Sequence, residues 1–233
     1  VVRRARINEA LVGDALTTAT ATGVNFDGIF NNPENRLAAE LKVISQLIAG
    51  RKCLGNKRQI FFCNLGGWDT HQNINAQLPE LLGGIDEAVG QFVQAMKALE
   101  GADTDFGYED VMLFQASDFN RTFTPNGAPG DAGAGTDHAW GTNTFVVGGA
   151  VEGRRFYGEY PDLRIGDNGT VDTPNSQRGR WIPKISVDQY AAVLADWLGV
   201  DRANDLPLIL PNLGRFDDPF DPANNLNFID PLA

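Results

Sequence analysis

The chain has 233 residues, 42% hydrophobic and 21% charged, the composition of a globular protein with enough apolar material for a substantial core. Its formal net charge of −11 argues against nucleic-acid binding, which needs a basic face to displace counterions. No apolar run approaches the roughly 18 residues that span a bilayer, so no transmembrane segment is expected, and Cys53 and Cys63 are too few for a disulfide framework.

Taken in order, residues 2 to 22 are compatible with helix but end in a Thr/Ala run of weak propensity, and 23 to 33 reads as loop. The chain opens on Val1 with the look of a helix in mid-course, which suggests a C-terminal portion of a longer precursor. Arg3-Arg4 is followed by no apolar region and is not an export signal in itself. Asn35 is placed to cap a helix whose apolar positions Leu37, Leu41, Ile44, Leu47 and Ile48 recur at helical spacing, stopping near Gly50. Residues 59 to 65 carry an uninterrupted apolar run, Ile60-Phe61-Phe62-Cys63, expected as a central strand of a parallel sheet. Gly66-Gly67 turns the chain, and Gln77 to Leu99 gives the longest helix, so strand, glycine loop and helix form an expected crossover unit.

Val111-Met112-Leu113-Phe114 reads as the next buried strand, running into Ser117-Asp118. Residues 123 to 136 hold Pro125, Pro129 and four glycines and read as a mobile surface loop. Thr144 to Val147 is expected as a third strand, Phe156-Tyr157 as a short one, and 161 to 180 as loop. Ser186 and Gln189 make a capping box for a helix over 187 to 198, with Val187, Tyr190, Ala191, Leu194, Trp197 and Leu198 inward and Gly199 closing it. The chain is read as a single domain whose residues 205 to 233 form an extended tail.

Three polar loops follow apolar runs or glycines, where ligands sit in open α/β sheets. They are Gly66-Gly67-Trp68-Asp69-Thr70-His71, Ser117-Asp118-Phe119-Asn120-Arg121-Thr122 and Gly135-Thr136-Asp137-His138, the last two motifs flanking the mobile loop. The chain has only two histidines, and each lies beside an aspartate and close to a tryptophan. Aspartate and neutral histidine suit a divalent metal ion such as Zn, Mn or Fe. Asp69, His71, Asp118 and His138 are the candidate ligands, Asp137 a ligand or an orienting partner, and Arg121 a clamp for an anion. Equally open are hydrogen-bonded structural histidines, backbone-capping aspartates and an Asp118–Arg121 surface pair.

With Val147-Gly148-Gly149-Ala150-Val151 and Ser186-Val187-Asp188-Gln189-Tyr190, these motifs resemble a bacterial family catalogued as a domain of unknown function and grouped with the alkaline phosphatase/sulfatase superfamily. The likeness covers roughly residues 36 to 200. It implies a three-layer α/β/α sandwich with a mostly parallel sheet, in which Asp69 and His71 match one metal-ligand pair, Asp118 a strand-end acid and His138 a late histidine ligand. It also implies twin-arginine export and a periplasmic or extracellular location. Phe119 stands where better-known members carry a second histidine, Asp118 and Asn120 replace a glutamate and a glycine of the nearer family, and the opening strand with its nucleophile has no counterpart before residue 59.

Two functions follow as expectations. One is a metal-dependent hydrolase-like protein acting on small phosphate or sulfate esters, its nucleophile unidentified. The other is a catalytically silent exported binding or structural protein that keeps the scaffold.

Overall fold

The computed structural model describes residues 2–166 and 177–230, with side chains from residue 9 onward, so the middle of the expected 161–180 loop and the end of the 205–233 tail lie outside the described residues. Contacts divide the chain into two units, the first being the chain up to Trp68 with Ala76–Val111, the second Asp69–Asn75 with the chain from Met112 onward.

The first unit is helical. Helix α1 (Val2–Ala21) ends in the Thr/Ala run, where Thr17, Thr18 and Thr20 each donate a hydroxyl to the carbonyl four residues back, at 3.0, 2.9 and 3.1 Å. Its Ala15 and Ala19 are fully buried, and Gly50 lies so close that a side chain there would meet the Ala15 backbone. A single turn, α2 (Phe26–Ile29), interrupts the expected loop, capped by the Asn25 side chain. Helix α3 (Arg36–Ala49) buries Ala38, Leu41, Ser45, Ile48 and Ala49, a stripe displaced from the apolar one because small residues permit the closest approach. The buried Ser45 hydroxyl is satisfied by Leu41 O at 2.8 Å. After the short α4 (Arg51–Leu54) comes α5 (Ile74–Ala102), all but its first two residues in this unit, burying Ala88, Phe92, Ala95, Met96 and Leu99. Asn35 joins α3 to α5: its Oδ1 accepts from Ala38 N at 3.1 Å while its Nδ2 donates to Gly84 O at 2.8 Å and Glu87 Oε2 at 2.9 Å.

In the second unit, β1 (Met112–Phe114) pairs with β4 (Val146–Gly148), and β2 (Asn120–Arg121) with β3 (His138–Ala139). Helix α6 (Val187–Trp197) opens on the expected box, with Ser186 Oγ accepting from Gln189 N at 3.1 Å and Gln189 Oε1 accepting from Ser186 N at 2.9 Å. Gln189, Ala192 and Val193 are its buried face and Val187, expected inward, points outward; the buried Gln189 amide donates to Asp217 O. The chain after 205 forms α7 (Leu206–Ile209) and two single 3-10 turns, burying Leu206, Leu226 and Phe228. Phe156-Tyr157 is not a strand; Phe156 is exposed and the Tyr157 hydroxyl donates to Glu152 O at 2.6 Å.

The expected three-layer sandwich is not the fold. Among the described residues there are two small two-stranded sheets, both antiparallel, and no parallel pair. Residues 59–65 are assigned to no strand, and within them Ile60 is 77% and Phe62 86% exposed. Phe61, Cys63 and Leu65 are half-buried, so a run that is apolar on both sides buries only one. An apolar run reports what a segment tolerates on its faces; it carries neither the direction nor the presence of a neighbouring strand.

Two outcomes test this packing. Asn35→Ala is expected to cost about 1–2 kcal/mol in urea unfolding, the size of a lost cap plus two stranded acceptors, whereas Asn35→Asp keeps the cap but sets a second carboxylate against Glu87 and is expected to be at least as destabilising. If alanine and wild type unfold alike, the bridge contributes nothing. Burial, helped by the Glu40 carboxylate, pushes the Cys63 thiol up to about 11. Its thiolate fraction at pH 8 is then about 0.001, rising tenfold per pH step toward that value. Iodoacetamide at pH 8 should therefore label the exposed Cys53 well before Cys63, as read by peptide mass spectrometry; equal rates would contradict the buried thiol.

Candidate metal centre

Three backbone segments of the second unit build one site. Residues 70–74 run antiparallel to 133–136: Thr136 N donates to Thr70 O at 3.0 Å, Asn73 N to Gly133 O at 3.0 Å and Ile74 N to Ala134 O at 3.1 Å, with a bridge between Gln72 and Ala134. Gly135 makes this approach possible, because a Cβ there would lie 2.1 Å from the His71 carbonyl carbon. Farther along, β3 pairs with β2 in the register Arg121 to His138, and Thr122 N donates to Asp137 O at 2.7 Å. The glycine-rich 123–136 segment is pinned as well, since Asn126 exchanges bonds with Gly135 and donates to His71 O at 3.0 Å. It is a braced loop.

This framework brings Asp69, His71 and His138 together, one ligand atom of each lying within 4.8 Å of the others. Both imidazole Nε2 atoms face Asp69 Oδ1, His71 at 2.9 Å and His138 at 2.8 Å. The His138 ring stacks on Phe119, centroids 4.4 Å apart and planes within 11°. The three side chains are 53%, 46% and 55% exposed, so solvent reaches the group directly. The His138 imidazole lowers the Asp69 carboxyl most, desolvation opposes it, and the Arg121 guanidinium and the histidines add to the lowering, so the carboxyl stays below the usual carboxylate range.

Arg121 spends its donors inside the protein: Nη1 on Asp69 Oδ1, Nε on Thr136 Oγ1 at 3.0 Å and Nη2 on Thr136 O. It orients Asp69. Asp137 lies one step behind the group, its Oδ1 3.2 Å from His71 Nδ1 and its Oδ2 on Arg178 Nη1. Partial burial pushes the Asp137 carboxyl up, but Arg178, Asn126 and His71 together hold it net low. Asp118 is exposed and is not one of the three grouped side chains; the neighbouring Ser117 hydroxyl is turned to Phe119 O at 2.8 Å. Trp140 stands exposed two residues after His138.

Sequence reasoning missed Arg178, Asn126 and Thr136. Their only sequence signal is residue type, an arginine beside glycine and an asparagine in a glycine-rich loop, because each acts through pairings with residues distant in the chain, such as Asn126 with His71 and Arg178 with Asp137.

The donor set suits a divalent ion: two neutral imidazole nitrogens and one carboxylate oxygen are the three-ligand complement that leaves a coordination position open. The 2.8 and 2.9 Å separations are shorter than the roughly 3.3 Å edge of a tetrahedron with ~2.0 Å bonds, so the group has to open by a few tenths of an ångström to take an ion. Gly135→Ala is expected to push the His71 backbone away and weaken Zn binding at least tenfold by competition titration, with α-helical circular dichroism retained. Unchanged affinity would show that the two segments do not hold the ligands in place.

The chain matches the family model described as Protein of unknown function (DUF1501) over residues 13–173, a span that includes Asp69, His71, Arg121, Asp137 and His138. No curated protein and no solved structure matches it. More than half of the chain lies within the match, and the protein belongs to the DUF1501 family.

Proposed function

We propose that the protein is a divalent-metal-dependent hydrolase-like protein acting on small phosphate or sulfate esters. The observation that carries this reading is the convergence of two imidazole Nε2 atoms and one carboxylate oxygen on a solvent-open point. Bound there, a divalent cation supplies Lewis acidity toward an anionic ester oxygen and acidifies a water. The protein's own contribution is positional. Arg121 fixes the Asp69 carboxylate, Phe119 holds the plane of His138, and Asp137 accepts from His71 Nδ1, which leaves Nε2 free to ligate.

Charge supports an anionic substrate. Asp69 and Asp137 are matched by Arg121 and Arg178, so the group is near neutral before loading and positive afterwards, a local attraction within a chain of net charge −11. The resemblance of the loop motifs to the alkaline phosphatase/sulfatase superfamily is the ground for choosing phosphate or sulfate esters as the substrate class, and the same resemblance is the ground for proposing an exported, periplasmic or extracellular protein. No helix among the described residues is long and apolar enough to cross a membrane.

A second reading, a metal-carrying but catalytically silent binding protein, is favoured by one observation: Arg121 commits Nε, Nη1 and Nη2 to Asp69 and Thr136, which turns it from the expected anion clamp into a support for Asp69. The two part cleanly in experiment. Elemental analysis of the purified protein is expected to give near-stoichiometric Zn, Mn or Fe, lost in the Asp69→Ala/His138→Ala double variant. Aryl phosphate or sulfate hydrolysis that disappears on chelation and in His138→Ala supports the hydrolase; metal without turnover supports the silent protein; no metal in either chain after incubation with excess ion removes both.

A further inference from the structure

We propose that Arg178 is a positioning residue of the metal centre, acting through Asp137 on His71, an assignment that rests on the metal-binding reading above. Its backbone is held by the 122–124 segment, with Thr124 N donating to Arg178 O at 3.1 Å and Phe123 N to Gly179 O at 3.3 Å. Its guanidinium divides between Thr124 O, reached by Nη2 at 3.2 Å, and Asp137 Oδ2, reached by Nη1. Arg178 and Asp137 are both mostly buried, at 28% and 26% side-chain exposure, so the pair is shielded far better than the half-exposed ligand group.

The division of the Asp137 oxygens carries the inference. Oδ2 belongs to Arg178, while Oδ1 faces His71 Nδ1 at 3.2 Å and receives Asn126 Nδ2 at 3.3 Å. A carboxylate fixed in this way does two things. With an ion seated between Nε2 and Asp69, it accepts the Nδ1 proton of His71 and so selects the tautomer whose Nε2 lone pair is directed at that ion. It is also kept from swinging round as a fourth ligand, because Oδ2 is occupied and Oδ1 is aimed at the ring. The chain Arg178, Asp137, His71 thus sets the orientation of one ligand from a residue that never touches the ion, and it preserves the open position that substrate chemistry requires.

The test is a double-mutant cycle on metal affinity, using Zn alone as the probe in competition with a chromophoric chelator. Arg178→Gln and Asp137→Ala are each expected to weaken Zn binding about 10-fold or more, and the double variant no further than Asp137→Ala, because Asp137 is the contact through which the Arg178 guanidinium reaches a histidine, its other bond going to a backbone carbonyl. Arg178→Lys, which keeps one donor and the charge, is expected to recover most of the loss. In the Zn-loaded wild type, nitrogen NMR of His71 should report a protonated Nδ1, with that resonance exchange-broadened in Arg178→Gln.

Three results overturn the proposal: wild-type affinity in Arg178→Gln, additive losses in the double variant, or tighter binding in Arg178→Gln, which would mean that Asp137 had become a ligand. Loss of inorganic phosphate binding to the Zn-loaded protein in Arg178→Gln, with Zn affinity intact, would make Arg178 an anion contact instead. Should Arg178→Gln fail to fold, as judged by near-ultraviolet circular dichroism, Arg178→Lys is carried through the same cycle with the same criteria. Failure of the wild type to bind Zn at all would count against the metal-binding reading, a different result from Zn binding that ignores Arg178.

Discussion

Everything in the second unit that bears on chemistry depends on a missing side chain. Gly135 lets the 133–136 backbone lie against 70–74, and that contact fixes where His71 can stand. From there the register is set: Thr136 follows Gly135 and pairs with Thr70, Asp137 pairs with Thr122, and His138 falls opposite Arg121 in β3. Two histidines that are 67 residues apart are thereby brought onto one oxygen of Asp69. A backbone contact places them, and the side chains finish the job.

The group so formed is electrostatically layered. Asp69 is open to water and its charge is held by the imidazole of His138 and the guanidinium of Arg121. Behind it, Asp137 is better shielded and is held by Arg178 and Asn126. Solvent screening acts mainly on the outer layer, so the Asp69 contacts are the more salt-sensitive and the inner Asp137 contacts keep the histidine orientation.

How much of this was legible in the sequence depends on range. Local signals held: the Asn35 cap, the Ser186/Gln189 box and the long helix through Leu81 to Leu99 are all set by residues within a few positions of one another. The pairing of Asp69 with His71 and His138 was also readable, from residue type and loop context. What was not readable is non-local. The 59–65 run was expected inside a parallel sheet and is not a strand, β1 and β4 pair antiparallel, and the buried stripe of α3 follows its alanines and serine in preference to its largest apolar residues. Asp118 is expected from the sequence as a ligand and Asp137 as a ligand or an orienting partner, yet of the two it is Asp137 that contacts a histidine, because β2 and β3 run past each other in a register that no single segment encodes.

The division of the chain has a consequence for how the site comes into being. Asp69–Asn75 belongs with residues from Met112 onward, while the chain on either side of it belongs to the helical unit. The site-bearing unit is therefore discontinuous, and no single cut separates it: a fragment beginning at Met112 would keep Arg121, Asp137, His138 and Arg178 and lose both Asp69 and His71. Closing the contact between Asp69 and His138 spans 69 residues, so its loop-closure entropy falls due before any ligand geometry exists. The helices of the first unit form from near neighbours and need not wait. The Asp69–His138 contact is in this sense a reporter of the non-local part of folding, present only when the discontinuous second unit has closed.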